Sequence, residues 1–385
     1  MELYIHIPFC RRKCDYCSFV SFPGELHQKE KYIRALLDET ELRQAEFSEP
    51  VQTVFIGGGT PSLLSSDQLK TLVTGISDRI SLSDCVEFTI EANPGTLTED
   101  FTAAAVRLGI NRFSLGMQAY QDSLLQLLGR IHTYPDVVNS VSLLNKYHIS
   151  NFNLDLIFGI PGQTLSQWDE TLSAALSLRP AHISAYGLVP EEGTPLFRRL
   201  TGGELSLPEQ ENEREMYDLA LRRLSENGYS QYEISNFARD GFVCRHNIGY
   251  WTQVPYVGLG VSAASMTIPQ KTEAGISYLR KKNPDSLAGY YEMINLGCLA
   301  ADETESVSPK EARFETLMLS LRMNKGINEL RFLEMHGVTI DSCYGSKLAE
   351  MEEKGLMKHE SGTWSLTRKG MDIQNTVLIE FMEDS

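Results

Sequence analysis

Short apolar runs alternate with amphipathic helical stretches through the first half of the chain. Apolar residues between 29 and 47 recur at helical spacing, whereas the run at 153–158 has the length of a buried strand. Six such strand–helix units in succession predict a parallel sheet. The predicted strands are 3–7, 53–56, 86–90, 112–115, 153–158 and 182–188, and the predicted helices are 29–47, 67–80, 99–108, a helical region ending near 148, and 166–178.

The pattern changes after the sixth strand. A long helix at 209–227 is followed by loops rich in Gly, Tyr and Asn up to about residue 305, and 304–309 is typical of a linker. From residue 310 the pattern predicts helical segments, a short β pair around 356–366 and a final helix, which is the order of a winged helix. We therefore expect a barrel at 1–205, a middle segment at 206–305 that extends it, and a winged-helix-like domain at 306–385.

Polar or glycine-rich residues gather just after nearly every predicted strand. Active sites of βα barrels lie at the carboxyl ends of the strands, whereas a doubly wound sheet concentrates them at one switch point. Because the polar residues are spread over all the strand ends, we expect an α/β fold with an open, partial (β/α)6 barrel and a small C-terminal α+β domain.

Charge and composition limit the classes of molecule that the protein is expected to bind and the compartment in which we expect it. The 385 residues carry a net charge of −16, which disfavours binding to phosphate backbones and to anionic membranes. The C-terminal domain has no basic face either, so we interpret it as a packing or partner module rather than a DNA-binding one. No apolar run reaches the ~20 residues of a membrane span, and no signal peptide is recognisable. With an odd number of unpaired cysteines, this predicts a cytoplasmic location.

Three cysteines within eight residues, Cys10, Cys14 and Cys17, have the spacing C-x3-C-x2-C. A structural zinc site needs four ligands, and the remaining cysteines (Cys85, Cys244, Cys298 and Cys343) are scattered singly. Three thiolates would leave one iron of a cubane open to another ligand. The spacing resembles that of the radical S-adenosylmethionine (SAM) enzymes, which implies a [4Fe–4S] cluster and SAM as cofactors.

Other candidate residues follow the next strands. Glycines 57–59 would let the backbone approach a ligand closely. Glu91 ends its strand and could bond hydroxyl or amino groups, and Arg130 could pair with a carboxylate through its fork geometry. Asp155 lies within an apolar run, where an unpaired carboxylate is costly, so it needs a partner.

The motifs together resemble the oxygen-independent coproporphyrinogen III oxidase family, and within it the HemW-type haem chaperones. They are YIHIPFCRRKCDYC from Tyr4, GGGTP from Gly57, EANP from Glu91, RFSLGMQ from Arg112, DLIFGIPGQT from Asp155 and HNIGYW from His246. The resemblance implies that Cys10, Cys14 and Cys17 hold the cluster. The cofactor contacts that it implies are Tyr4, Tyr16, Gly58, Gly59, Thr60, Glu91, Gln118, Arg130 and Asp155, with weaker backbone contacts at Gly187 and Ala264.

Two departures set the chain apart from the decarboxylating oxidases of this family. The cysteine motif of those enzymes resembles C-x3-C-x2-C-x-C, whereas this chain has Phe19 at the position of the fourth cysteine. They also carry an N-terminal extension, and this chain begins three residues before Tyr4. Both differences put the decarboxylase reaction in doubt.

The HNIGYW motif points instead to haem. The resemblance of this motif implies that His246, Tyr250 and Trp251 contact haem. A neutral imidazole can bind the haem iron, and flat aromatic rings can pack against a porphyrin. Arg245 could pair with a propionate, and Cys244 is a rival iron ligand.

The first hypothesis is therefore a haem chaperone of the radical SAM fold that delivers haem to an acceptor protein, with a low-potential electron donor as a further partner. Whether SAM is cleaved, and hence whether the protein is an enzyme, is left open. One alternative is SAM-dependent oxidative decarboxylation of coproporphyrinogen III to protoporphyrinogen IX. The other is a regulatory module that binds a cluster or zinc. The acceptor, the donor and the oligomeric state do not follow from the residues.

Overall fold

The structure, a computed structural model, describes residues 1–297 and 303–382. Its first six strands alternate with helices, as the apolar pattern predicts. The strands are β1 (Glu2–Ile7), β2 (Thr53–Gly58), β3 (Glu87–Ala92), β4 (Arg112–Gln118), β5 (Phe152–Phe158), β6 (His182–Gly187), β7 (Ser230–Glu233), β8 (Asn236–Ala238), β9 (Tyr256–Leu259), β10 (Ala264–Met266), β11 (Gln270–Thr272), β12 (Gly275–Lys282), β13 (Glu303–Val307), β14 (Ile327–Asn328), β15 (Met357–Glu360) and β16 (Thr363–Leu366).

The helices cover the outside of the sheet and build the C-terminal domain. They are α1 (Leu26–Leu42), α2 (Ser66–Ser77), α3 (Glu99–Arg107), α4 (Asp122–Leu127), α5 (Tyr134–Lys146), α6 (Leu165–Ser177), α7 (Pro195–Thr201), α8 (Gln210–Glu226), α9 (Arg245–Trp251), α10 (Leu287–Asn295), α11 (Pro309–Arg322), α12 (Glu329–His336), α13 (Ile340–Glu353), α14 (Arg368–Asp372) and α15 (Gln374–Met382), with short 3-10 turns at Gln44–Glu46 and Pro61–Leu63. None of the helices in the described ranges is long and apolar enough to cross a membrane.

Strands β1 to β6 lie side by side in chain order, and all neighbouring pairs are parallel. Strand β4 is buried along its whole length, as expected for a sheet that is covered on both faces. The sheet runs from β11 at one edge to β7 at the other without closing. The prediction of an open, partial (β/α)6 barrel is therefore confirmed.

The middle segment was predicted as loops after one helix, and this prediction was wrong. It contains the short strands β7 to β12, which extend both edges of the barrel: β9 pairs parallel to β1, and β8 pairs antiparallel to β6. The predicted linker at 304–309 is largely strand β13, which pairs with β12. Most of these strands have only three to five residues, too few for an alternating pattern to emerge, and their pairing is fixed by distant partners. Cys298 lies outside the described residues.

The C-terminal part has its own core, built around Leu317, Phe332, Tyr344 and Phe381. Strands β14, β16 and β15 form a separate three-stranded sheet behind helices α11 to α13, which confirms the winged-helix-like order. Helix α11 also ties this core to the barrel, because the Arg322 Nε donates to a buried carboxylate, Glu233 Oε2, at 3.1 Å. The boundaries at 205/206 and 305/306 stay predictions.

Candidate functional site

A cavity of about 440 Å³ opens at the carboxyl ends of the parallel strands. Its walls are the loop after β1 and the ends of β2 to β6. Because parallel strands end at the same edge, residues far apart in the chain meet there. The predicted site residues that line it are Cys10, Cys14, Tyr16, Cys17, Gly58, Gly59, Glu91, Gln118, Arg130, Asp155 and Gly187.

The three cysteines of the β1 loop are free thiols and only partly buried. Two polar groups lie against their sulfurs: the Thr60 hydroxyl is 3.6 Å from Cys10 Sγ, and the Arg130 Nη1 is 3.5 Å from Cys14 Sγ. A guanidinium at this distance stabilises a thiolate, the form that binds metals. Burial, together with the other two cysteines, raises the pKa of Cys17.

Arg130 is held firmly in place. Its Nη2 donates to the Asn93 side-chain oxygen at 2.7 Å and to the Gly116 carbonyl at 2.8 Å. Asn93 in turn donates to the Thr60 hydroxyl at 2.8 Å. Thr60 was predicted to contact the cofactor. In the structure it also links the cysteine loop to this network of hydrogen bonds. Arg130 presents a fixed cation at the cysteine end of the cavity, where a ligand carboxylate could pair with it.

Two carboxylates occupy the other wall. Glu91 accepts a hydrogen bond from the Gly58 amide at 3.0 Å, and Asp155 accepts from the Ser114 hydroxyl at 2.9 Å and the Asn153 amide at 2.8 Å. Burial, and then the nearby Asp155, raises the pKa of Glu91 to about 8. Burial also raises the pKa of Asp155. Buried carboxylates of this kind are suited to accept hydrogen bonds from ammonium or hydroxyl groups of a ligand.

Gly59 lies where only glycine fits. Its amide donates to the Ile7 carbonyl at 2.8 Å, and a Cβ on Gly59 would stand 2.8 Å from the Phe9 carbonyl oxygen. Both of these neighbours are backbone atoms of the strand and loop that carry the cysteines. A side chain would therefore push that loop out of position.

We expect Gly59→Ala to destabilise the fold by about 1–3 kcal/mol, the usual cost of overpacking, and to lower the cluster content of the purified protein. Iron analysis and thermal unfolding measure the two effects. Gly345→Ala is the matched control, because a Cβ there makes only ordinary contacts on helix α13. Equal stability and iron content in both variants would contradict the close approach.

Gln118 ends β4 in the left-handed region, with φ at 65°, after a register shift in its pairing with β5. A bulge of this kind redirects a side chain at the end of a strand. A Cβ on Gly116 would stand 2.7 Å from the side-chain nitrogen of Gln118. Glycine at position 116 therefore leaves the space that the Gln118 side chain occupies. Tyr186 also lines the cavity. Sequence reasoning missed this residue and the roles of Asn93 and Ser114, although the last two lie inside motifs that were recognised.

Three predicted cofactor residues, Tyr4, Thr60 and Ala264, do not line the main cavity, and Thr60 lines a smaller cavity of about 230 Å³. Tyr4 and Ala264 line an open groove of about 640 Å³ at the side of the barrel, which we call the side groove. Ser18 and Phe19 line both the side groove and the main cavity, so the two spaces adjoin. Tyr4 also lines an inner cavity of about 160 Å³ together with Glu91 and Asp155. A ligand that contacts Ala264 as well as the main cavity would extend through the passage at Ser18 and Phe19.

The HNIGYW motif forms helix α9, which covers the amino ends of β2 and β3, opposite the cavity. His246 is only 2 % exposed. Its Nδ1 lies 2.7 Å from the Thr53 hydroxyl, and its Nε2 lies 3.0 Å from the Tyr250 hydroxyl. Burial, with the Arg112 charge, lowers the pKa of His246 to about 3, so the ring is neutral. Both ring nitrogens are therefore engaged within the protein.

The neighbours of His246 are placed differently. Cys244 is buried, its thiol donates to Glu87 Oε1 at 3.5 Å, and burial raises its pKa to about 12. Tyr250 and Trp251 line the side groove, beside Tyr256 and Met266. The aromatic half of the motif thus faces an open space, whereas the histidine faces the inside of the barrel.

Comparison with known proteins identifies the family of the chain. Residues 4–175 match the Radical SAM superfamily, and residues 307–373 match the HemN C-terminal domain. A protein of Bacillus subtilis named "Heme chaperone HemW" is 35% identical over 98% of this chain and 98% of its own length. The chain belongs to the HemW family. A Synechocystis protein of the same name is 38% identical over 84% of this chain and 78% of its own, and one of Escherichia coli is 32% identical over 100% and 98%.

The fold of the HemW chain is also that of a solved structure, coproporphyrinogen III oxidase (HemN) from Escherichia coli, described as a radical SAM enzyme. The TM-score is 0.83, over 99% of this chain and 89% of that one. At 21% sequence identity this likeness shows the fold alone.

Membership of the radical SAM superfamily implies a [4Fe–4S] cluster and SAM, and the cavity fits both. Three free thiols lie on one wall with a guanidinium beside them, and two partly buried carboxylates lie on the other. Within the described ranges, no three His, Cys, Asp or Glu side chains are grouped to hold one metal ion. A cubane does not require such a group, because each thiolate binds a different iron. Bound there, the cluster and SAM would supply one-electron chemistry, while the residues position and shield it.

Proposed function

We propose that this protein is a haem chaperone that binds haem and passes it to an acceptor protein. The observation that carries the proposal is similarity over nearly the full length to several proteins named "Heme chaperone HemW". We also propose that Cys10, Cys14 and Cys17 hold the cluster. The residues that then surround SAM are Tyr4, Tyr16, Gly58, Gly59, Thr60, Glu91, Gln118, Arg130, Asp155, Gly187 and Ala264. The six cysteines that the structure describes are all free thiols, which supports a location in the reducing cytoplasm.

We infer that haem binds in the side groove. Trp251 and Tyr256 offer flat apolar faces there, and Arg280 and Lys282 lie on the same lining. His246 contributes by positioning Tyr250 through the Nε2–hydroxyl hydrogen bond, because its own nitrogens are occupied.

A haem titration followed at the Soret band tests this function. We expect saturable binding by the wild type and at least about tenfold weaker binding by Trp251→Ala, a loss of ~1.4 kcal/mol. His246→Ala is expected to bind more weakly with an unchanged band position, since a positioning residue does not ligate the iron. Tyr147→Ala, on the outer layer of helices, is the control.

Three outcomes would contradict the proposal in different ways. Weak, unsaturable absorbance in every variant would overturn haem binding itself. A shifted Soret band in His246→Ala would make the imidazole the iron ligand and overturn the positioning role. Vinyl products in an anaerobic assay with reductant, SAM and coproporphyrinogen III would replace the chaperone function with the decarboxylase alternative.

A further inference from the structure

The loop that carries the cysteines has a charge opposite to that of the protein. The chain as a whole has 51 acidic and 35 basic residues. Between Cys10 and Cys14, however, stand three consecutive cations, Arg11, Arg12 and Lys13, and all three are exposed. None of them forms an ion pair with any residue that the structure describes, and the same holds for the exposed Lys70 and Arg107 on the outer helices.

Exposed apolar side chains surround the same loop. Phe19 and Val189, 65 % and 67 % exposed, stand at the mouth of the main cavity, and Ile131, 58 % exposed, lines a smaller cavity beside Arg11 and Arg12. Large exposed apolar residues grouped together mark interaction sites, and a charged border around them is typical of protein interfaces. We call these six residues (Arg11, Arg12, Lys13, Phe19, Ile131 and Val189) the cluster face.

We propose that the cluster face is the docking surface for an acidic electron-transfer protein that carries a low-potential one-electron donor. In the complex, one electron passes from the donor to the oxidised [4Fe–4S]²⁺ cluster, which becomes [4Fe–4S]⁺, and the donor is oxidised by one electron. No other reactant is needed. The inference rests on the cluster and not on haem, so the two can fail separately.

The positive charge of the cluster face is the reason why we expect the partner to be acidic. A net charge of −16 repels an acidic protein from most of this surface, and only a local positive patch can steer it to one place. Cys10 and Cys14 flank these cations in the chain, and Arg12 and Lys13 line the same cavity as the half-buried thiols, so docking there brings the donor close to the cluster site.

The test follows reduction of the reconstituted holoprotein by stopped flow, with the hydroquinone of an acidic flavodoxin as the probe. We expect Arg11→Glu/Arg12→Glu to lower the second-order rate at low ionic strength at least about tenfold, with the difference shrinking in high salt. Calorimetry with oxidised flavodoxin should show the same loss in affinity. Lys70→Glu/Arg107→Glu, on helix α2 and helix α3, changes the net charge equally and should keep the wild-type rate.

Iron content, EPR and the rate of reduction by reduced methyl viologen, a small cation, show whether the cluster of each variant is intact. If charge reversal prevents cluster assembly, the variant Arg11→Gln/Arg12→Gln replaces Arg11→Glu/Arg12→Glu in the test. We then expect a smaller decrease in the rate of reduction by flavodoxin. Equal flavodoxin rates in the loop variant and the wild type would overturn the proposal, and so would an equal loss in the Lys70/Arg107 control.

Discussion

Replacing any one of Cys10, Cys14 or Cys17 with Ala is expected to abolish the broad absorption of the cluster and its EPR signal in the reduced protein. Each thiolate is expected to bind a different iron, and two thiolates cannot hold a cubane that already lacks its fourth cysteine. The fold should persist, because the three side chains lie at a cavity mouth rather than in the core. Iron and sulfide analysis after anaerobic reconstitution, with circular dichroism for the fold, measures both effects.

Cys343→Ala is the matched control for these variants. It is also a partly buried free thiol, but it lies in the C-terminal domain, against a separate core. We expect it to keep the full iron content. A complete cluster in any of the three loop variants would show that the assigned ligand set is wrong.

Glu39→Ala is expected to lower the free energy of unfolding by about 3–5 kcal/mol, the range for breaking a buried charge pair. Glu39 has no exposed surface on helix α1. One oxygen accepts from the Gly260 amide and the Tyr290 hydroxyl, both at 2.7 Å, and the other accepts from Asn283 at 2.7 Å. Arg43, itself 2 % exposed, lies 3.3 Å away and would keep Glu46, at 3.6 Å, as its carboxylate partner.

The same network holds the extended edge of the barrel, since Gly260 and Asn283 follow strands β9 and β12. Glu41→Ala, on the same helix, is the control: its carboxylate is 68 % exposed beside Arg79, so we expect a change of only ~0.5 kcal/mol. Denaturant unfolding of both variants measures the difference. Similar midpoints for the two would mean that the buried carboxylate carries no net stability.

The pattern of apolar residues predicted the barrel correctly, but it failed in the middle segment. Strands such as 153–158 are long and buried, so their sequence alone marks them. The strand at Gln270–Thr272 is exposed at every position, so its pairing with β12 leaves no trace in its hydrophobicity. Glu39 shows a related limit: a glutamate within an amphipathic helix is indistinguishable from a surface residue until its partners, more than 200 positions away, are known.

The sequence by itself determined the six strand–helix units, and the strand ends placed Cys10 and Glu91 at one edge, because parallel strands all point the same way. It also determined the cysteine spacing on which the cluster depends. Only the tertiary structure decided which way the HNIGYW motif faces. Helix α9 turns His246 onto Thr53 and Trp251 onto the side groove, and such a choice depends on contacts between residues nearly 200 positions apart. Local pattern carries no information about contacts of that range.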